Sequence, residues 1–176
     1  MSFVEVDSLT ADGWVGYPHD FLEFLYNRVM ENKPNIIIEF GTGWGYTTTA
    51  LAQGIRDLGK GGKVFTYDHY DKDDYLGGWK HTQEHVKHNL KKYDLHEYVD
   101  INSMDIFEWF DNPFDFDLAF IDVHNHGKIL DDIFEQKFIK DSVYKGSEIL
   151  FCGGSLKLDE IKMSRNEKSI SSLNSK

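Results

Sequence analysis

A chain of 176 residues, 40% hydrophobic and 15% aromatic, is long enough for one domain with its own core and too apolar to stay disordered. Nineteen basic residues against thirty acidic ones give a net charge of −11, which repels phosphate backbones and anionic lipid and argues against nucleic acid or a membrane as partner. The single cysteine, Cys152, excludes an internal disulfide, and no apolar run approaches the roughly 20 residues a membrane helix needs. Residues 1–7 show no basic stretch followed by an apolar core, so no secretory signal and a cytoplasmic protein are expected.

Residues 1–16, with Trp14, carry little periodicity and read as an irregular arm. Over 17–32 the apolar residues Phe21, Phe24, Leu25 and Val29 recur at helical spacing, and Lys33-Pro34 predicts the helix end. Ile36-Ile37-Ile38-Glu39-Phe40 is a β-branched run without alternation, the pattern of a strand buried on both faces. Gly41, Gly43 and Gly45 then stand at every second position and predict a sharp turn with little side chain over it. A threonine-rich segment opens the next helix, whose free N–H groups favour a negatively charged ligand group. That helix runs to about Leu58 and closes at Gly59-Lys60-Gly61-Gly62.

Lys63 to Tyr67 reads as a second strand ending at Asp68, with His69 beside it. An acid at this point accepts ribose hydroxyls in nucleoside-binding α/β folds, and a carboxylate can take two O–H donors at once. Asp71, Asp73 and Asp74 compete for the role, although they also read as a solvated acidic loop over 70–79. A surface helix is predicted over 80–95, with Val86, Leu90 and Tyr93 on one stripe. His81, His85 and His88 could form a metal face, but interleaved lysines favour a solvated surface and no metal site is expected.

A third strand is expected at 98–102, followed by Ser103-Met104-Asp105, where Asp105 suits the N-cap of a short helix over 106–110. The fourth strand reads as 114–122, with Leu118 to Ile121 at its buried centre. A single helix over 127–143 places Ile129, Leu130, Ile133, Phe134 and Phe138 on its core face, and 148–152 is the fifth strand, ended by Gly153-Gly154-Ser155. Residues 1–161 form one domain in this reading and 162–176 a polar tail.

The glycine spacing departs from the dinucleotide loop G-x-G-x-x-G, because Tyr46 stands where the third glycine belongs. Glu39 through Gly45 instead form acid-x-G-x-G-x-G, and the stretch resembles motif I of class I S-adenosylmethionine-dependent methyltransferases. The continuation from Gly45 to Ala52 is similar to the small-molecule O-methyltransferase branch. Strands alternating with helices read as an α/β, mainly parallel sheet, and right-handed crossovers give the order 3-2-1-4-5; the resemblance implies a Rossmann-like three-layer sandwich, here without a clear full set of seven strands. It covers roughly 17–155 and implies S-adenosylmethionine as cofactor, held by Glu39, Gly41, Thr42, Gly43, Gly45, Tyr46, Thr47, Asp68, His69, Ser103, Met104, Asp105 and Asp122. It further implies a small-molecule acceptor, with Asp122 or His124 as the base taking the acceptor's proton. Val123 stands where the family carries glycine, so Asp122 is the firmer carry-over and His124 and His126 the weaker. Cation-dependent members pair the acid after strand four with acids after strand five, where this chain has Cys152-Gly153-Gly154.

An exposed parallel edge invites pairing, so a homo-oligomer is expected. The alternatives left open are a protein that binds or degrades S-adenosylmethionine without an acceptor, a nicotinamide-dependent oxidoreductase, and a non-catalytic interaction domain.

Overall fold

The computed structural model describes residues 2–6, 19–70, 83–123 and 127–152. Five parallel strands form one sheet in the order β3-β2-β1-β4-β5, the order the sequence predicts. The strands are β1 (Ile36–Phe40), β2 (Lys63–Asp68), β3 (Val99–Ser103), β4 (Leu118–Ile121) and β5 (Glu148–Phe151). The helices are α1 (His19–Asn32), α2 (Tyr46–Leu58), α3 (Gln83–Lys92), α4 (Ile106–Phe110), α5 (Gly127–Glu135) and α6 (Lys137–Tyr144).

The β-branched run of β1 is buried on both faces because successive side chains enter different cores. Ile37 joins Leu25 and Val29 of α1, Leu51 and Ile55 of α2 and Leu90 of α3 in one core. Ile38 and Phe40 join Trp109 of α4, Ile133 of α5 and Ile139 of α6 in the other. Strand β4 alternates likewise, Leu118 and Phe120 to the first core, Ala119 and Ile121 to the second. The result is three layers with the sheet in the middle.

Glu39 falls between these positions, on the side of Ile37, and is 0% exposed. A carboxylate there is placed against the start of α2 by strand periodicity alone, which matters for the site.

Several expected boundaries shift for local reasons. In α1 the buried residues are Leu22, Leu25, Tyr26 and Val29, while Phe24 is 45% exposed. The helix stripe is thus turned away from Phe24, which stacks on Phe21 at 6.2 Å instead of entering the core. α1 ends at Asn32, with Lys33 left-handed at φ 53 ahead of Pro34. β3 starts at Val99 because the Tyr98 amide turns back to the Leu95 carbonyl in a 3₁₀ turn. β4 starts only at Leu118, since the Asp117 carboxylate accepts the Asn35 and Ile36 amides at 2.8 and 2.9 Å and caps the strand pair.

The helix expected over 127–143 is two helices, divided where Gln136 takes an extended conformation at ψ 121. Phe134 is consequently 36% exposed and meets Phe151 of β5 at 5.1 Å rather than the core. Among the described residues no helix is long and apolar enough to cross a membrane.

Candidate active site

The carboxyl ends of the strands gather the candidate residues because the ladder aligns them. Phe40 pairs with both Tyr67 and Ile121, and Asp68 pairs with Ser103. The chain after β1 therefore leaves the sheet between Asp68 on one side and Asp122 on the other. The Gly41 amide donates to the Tyr67 carbonyl at 2.9 Å, and the Asp122 amide donates to the Phe40 carbonyl at 2.7 Å.

Gly41 and Gly43 are both glycine for different reasons. Gly41 has φ +91, and a Cβ on it would stand 2.1 Å from the Asp122 carbonyl oxygen, so close approach of the β1 and β4 ends requires its absence. Gly43 has φ +54, yet a Cβ on it would meet nothing within 4 Å among the described residues. No described residue stands over it on that side, which suits the approach of a ligand. The Gly43 amide donates to Asp68 Oδ2 at 2.7 Å, and the His69 amide donates to Oδ1 at 2.6 Å. Asp68 is thus held in place by backbone donors at both carboxylate oxygens.

Beneath the loop, Glu39 collects three hydroxyl donors: Thr47 and Thr66 at 2.6 Å each, and Thr48. The Thr66 hydroxyl also meets the Thr42 hydroxyl, which ties the glycine turn to the same network. Burial raises the Glu39 carboxyl from 4.5 to about 7, opposed by the three hydroxyls and assisted by the nearby charge of Asp68. Glu39 and Thr47 sit on the closed, inner side of the loop, and Tyr46 is 7% exposed. These motif residues tie loop, helix and sheet together, and Thr48 and Thr66, which sequence reasoning did not single out, belong to the same network. The signal for Thr66 was its position two residues before Asp68, on the same strand face as Val64.

At the neighbouring strand end, Asp105 performs the expected capping. Oδ1 accepts the Phe107 amide at 2.6 Å, and Glu108 returns to the Asp105 amide at 3.4 Å, closing a capping box. Its Oδ2 meets His69 Nε2 at 2.7 Å, so one carboxylate links the ends of β2 and β3. Ser103 is exposed, and Met104 is half-buried against the second core, its amide donating to the Asp68 carbonyl at 3.1 Å. Asp122 is half-buried at the end of β4.

His124 and His126 lie outside the described residues, as do Asp71, Asp73 and Asp74, His81, residues 153–161 and the tail. Of the three histidines considered as a metal face, His88 is exposed and His85 stacks on Trp44 at 4.5 Å. Among the described residues no three histidine, cysteine or acidic groups cluster as metal ligands.

A parallel sheet whose first strand feeds a glycine turn, with an acid closing the second strand, is an α/β Rossmann-like arrangement. Within that fold class the chain belongs to the methyltransferase-domain family, whose model matches residues 38–151. Its fold is similar to the methyltransferase PaMTH1 of Podospora anserina, solved with S-adenosylhomocysteine bound, at 20% identity and TM-score 0.56 over 72% of this chain and 51% of that one. It is also similar to the O-methyltransferase TomG of Streptomyces achromogenes, solved with S-adenosylmethionine, at 16% identity and TM-score 0.53, covering 80% and 54% respectively. A methyltransferase from Geobacter sulfurreducens matches at 20% identity and TM-score 0.52, over 68% of this chain and 54% of that one. The chain thus spans about half the length of these solved structures. No curated protein sequence matches it.

Proposed function

We propose that this protein is an S-adenosylmethionine-dependent methyltransferase acting on a hydroxyl or amine of a small molecule. The observation that carries the reading is the pairing of a Gly43 backbone that no described residue covers with Asp68, whose carboxylate is already oriented by the Gly43 amide at 2.7 Å. That arrangement suits a nucleoside whose ribose hydroxyls reach the acid while the rest of the ligand runs along the glycine turn. Membership of the methyltransferase-domain family supports the same cofactor.

In this reading Gly41, Thr42, Gly43 and Gly45 shape the turn, and Asp68 receives the ribose. His69, Ser103, Met104 and Asp105 border the base, while Glu39, Tyr46 and Thr47 hold the loop from below. Bound S-adenosylmethionine would supply an electrophilic methyl group. Asp122, or His124 two residues further along the chain, takes the proton released by the accepting hydroxyl or amine. Holding the acceptor in line with the methyl group contributes much of the rate. Self-association belongs to the same proposal, supported by β5, one of the two edge strands among the described residues and half-buried along its length.

Calorimetric titration with S-adenosylmethionine, S-adenosylhomocysteine and NAD tests the cofactor, followed by mass analysis of the incubated ligand. Micromolar binding of the first two, silence from NAD and intact cofactor are expected. Binding of NAD alone, or of nothing, overturns the proposal, and cofactor breakdown without acceptor favours a lyase.

A further inference from the structure

Trp44 stands at the apex of the glycine turn between Gly43 at φ +54 and Gly45 at φ +82. A residue flanked by two glycines in the left-handed region has little conformational preference of its own, so its position must come from contacts. On one side the turn is anchored by the Gly43 amide, bonded to Asp68 on β2, and closed by the Gly45 amide on the Thr42 carbonyl at 2.9 Å. On the other, α3 holds the apex at three points. Asn89 Nδ2 donates to the Trp44 carbonyl at 2.8 Å. The His85 ring lies on the Trp44 indole with centroids 4.5 Å apart and planes inclined by 22°. Val86 fills the space where a Gly45 Cβ would come within 2.9 Å of its Cγ1, which seats the turn directly on the helix. His85, Val86 and Asn89 recur at i, i+1 and i+4, one contiguous patch of α3.

We propose that His85 and Asn89 are positioning residues for the cofactor, clamping the glycine turn so that the Gly43 peptide is presented to the ligand beside Asp68. The inference rests on the cofactor reading above and assigns α3 a task in it. A turn with two flexible hinges loses conformational freedom when a ligand orders it, and a clamp that orders it beforehand removes that penalty from binding. Asn89 is suited to the task because an amide donor must meet a backbone carbonyl. His85 contributes a flat ring face, a role that another flat ring can fill.

The test compares the wild-type protein with Asn89→Ala, His85→Ala and His85→Phe by two readouts. In calorimetry with S-adenosylhomocysteine, Asn89→Ala and His85→Ala weaken binding by about 5- to 10-fold, the scale of one net hydrogen bond or ring contact. His85→Phe keeps the stack and stays within about 2-fold of wild type, a rescue that a general loss of stability does not produce. In hydrogen exchange of the ligand-free proteins, the amides of 43–45 exchange faster in the two alanine variants while those of β1 are unchanged. Variants that bind as wild type overturn the inference and leave the cofactor reading standing. A wild type that does not bind overturns the cofactor reading and the ligand half of this inference with it, and unchanged exchange at 43–45 overturns the clamp whatever binds.

Discussion

Thr66 in the middle of β2 donates to Glu39 on β1 at 2.6 Å, and both side chains are fully buried. Two neighbouring strands and the first turn of α2 are therefore joined through one carboxylate, whose pKa burial raises from 4.5 to about 7.

Stability should depend on pH through this group. The folded protein holds the Glu39 proton between 4.5 and about 7, where the unfolded chain has released it. The contribution is thus fully present below 4.5 and lost as pH rises through about 7. A shift of this size corresponds to about 3 kcal/mol. In urea denaturation, the stability difference between wild type and Glu39→Gln should move against wild type by that order from pH 5 to pH 8. Parallel curves would remove Glu39 as the cause.

Gly41 and Gly43 should respond differently to alanine. Gly41→Ala puts a Cβ 2.1 Å from the Asp122 carbonyl, a backbone clash that must separate the ends of β1 and β4. A loss of about 3 kcal/mol or more, or failure to fold, is expected. Gly43→Ala meets no described residue and should cost only about 1 kcal/mol from its left-handed backbone. Its effect should appear instead in S-adenosylhomocysteine affinity, read by calorimetry on a protein whose melting point is little changed.

Asp68→Asn retains the shape but loses the charge that orients the Gly43 and His69 amides. Cofactor affinity should fall by about 10- to 100-fold, the scale of a charged hydrogen bond, with little change in melting temperature. Equal affinity in the two proteins would move the ribose contact elsewhere.

Asp105 carries a capping role that can be separated from any ligand role. Asp105→Ala removes the cap of α4 and should cost about 1 kcal/mol, whereas Asp105→Asn preserves it. If both variants bind S-adenosylhomocysteine as wild type does, Asp105 serves the helix alone.

Much of the fold was legible because local patterns and global topology agree. The Ile36 to Phe40 run, the glycines after it and the acid closing β2 each report a local physical demand. Together with right-handed crossovers they fix the strand order 3-2-1-4-5. The capping role of Asp105 was equally local, since a cap is decided by residues two and three positions away.

The sequence alone thus determined which residues reach the carboxyl edge of the sheet. It did not determine which way several of them face. Phe24 and Phe134 were expected inside and lie partly outside, because helical spacing permits more than one stripe and packing chooses among them. No sequence signal breaks the helix at Gln136, where the backbone becomes extended between α5 and α6. Glu39 reads as part of a ligand motif, but the tertiary structure buries it against Thr47, Thr48 and Thr66, residues 8 to 27 positions away. Trp44 lies some forty residues before His85 and Asn89, and only the docking of α3 on the glycine turn brings it to them. Spacing records what a chain does locally, whereas the contacts that hold the site depend on which distant surfaces the folded core forces to meet.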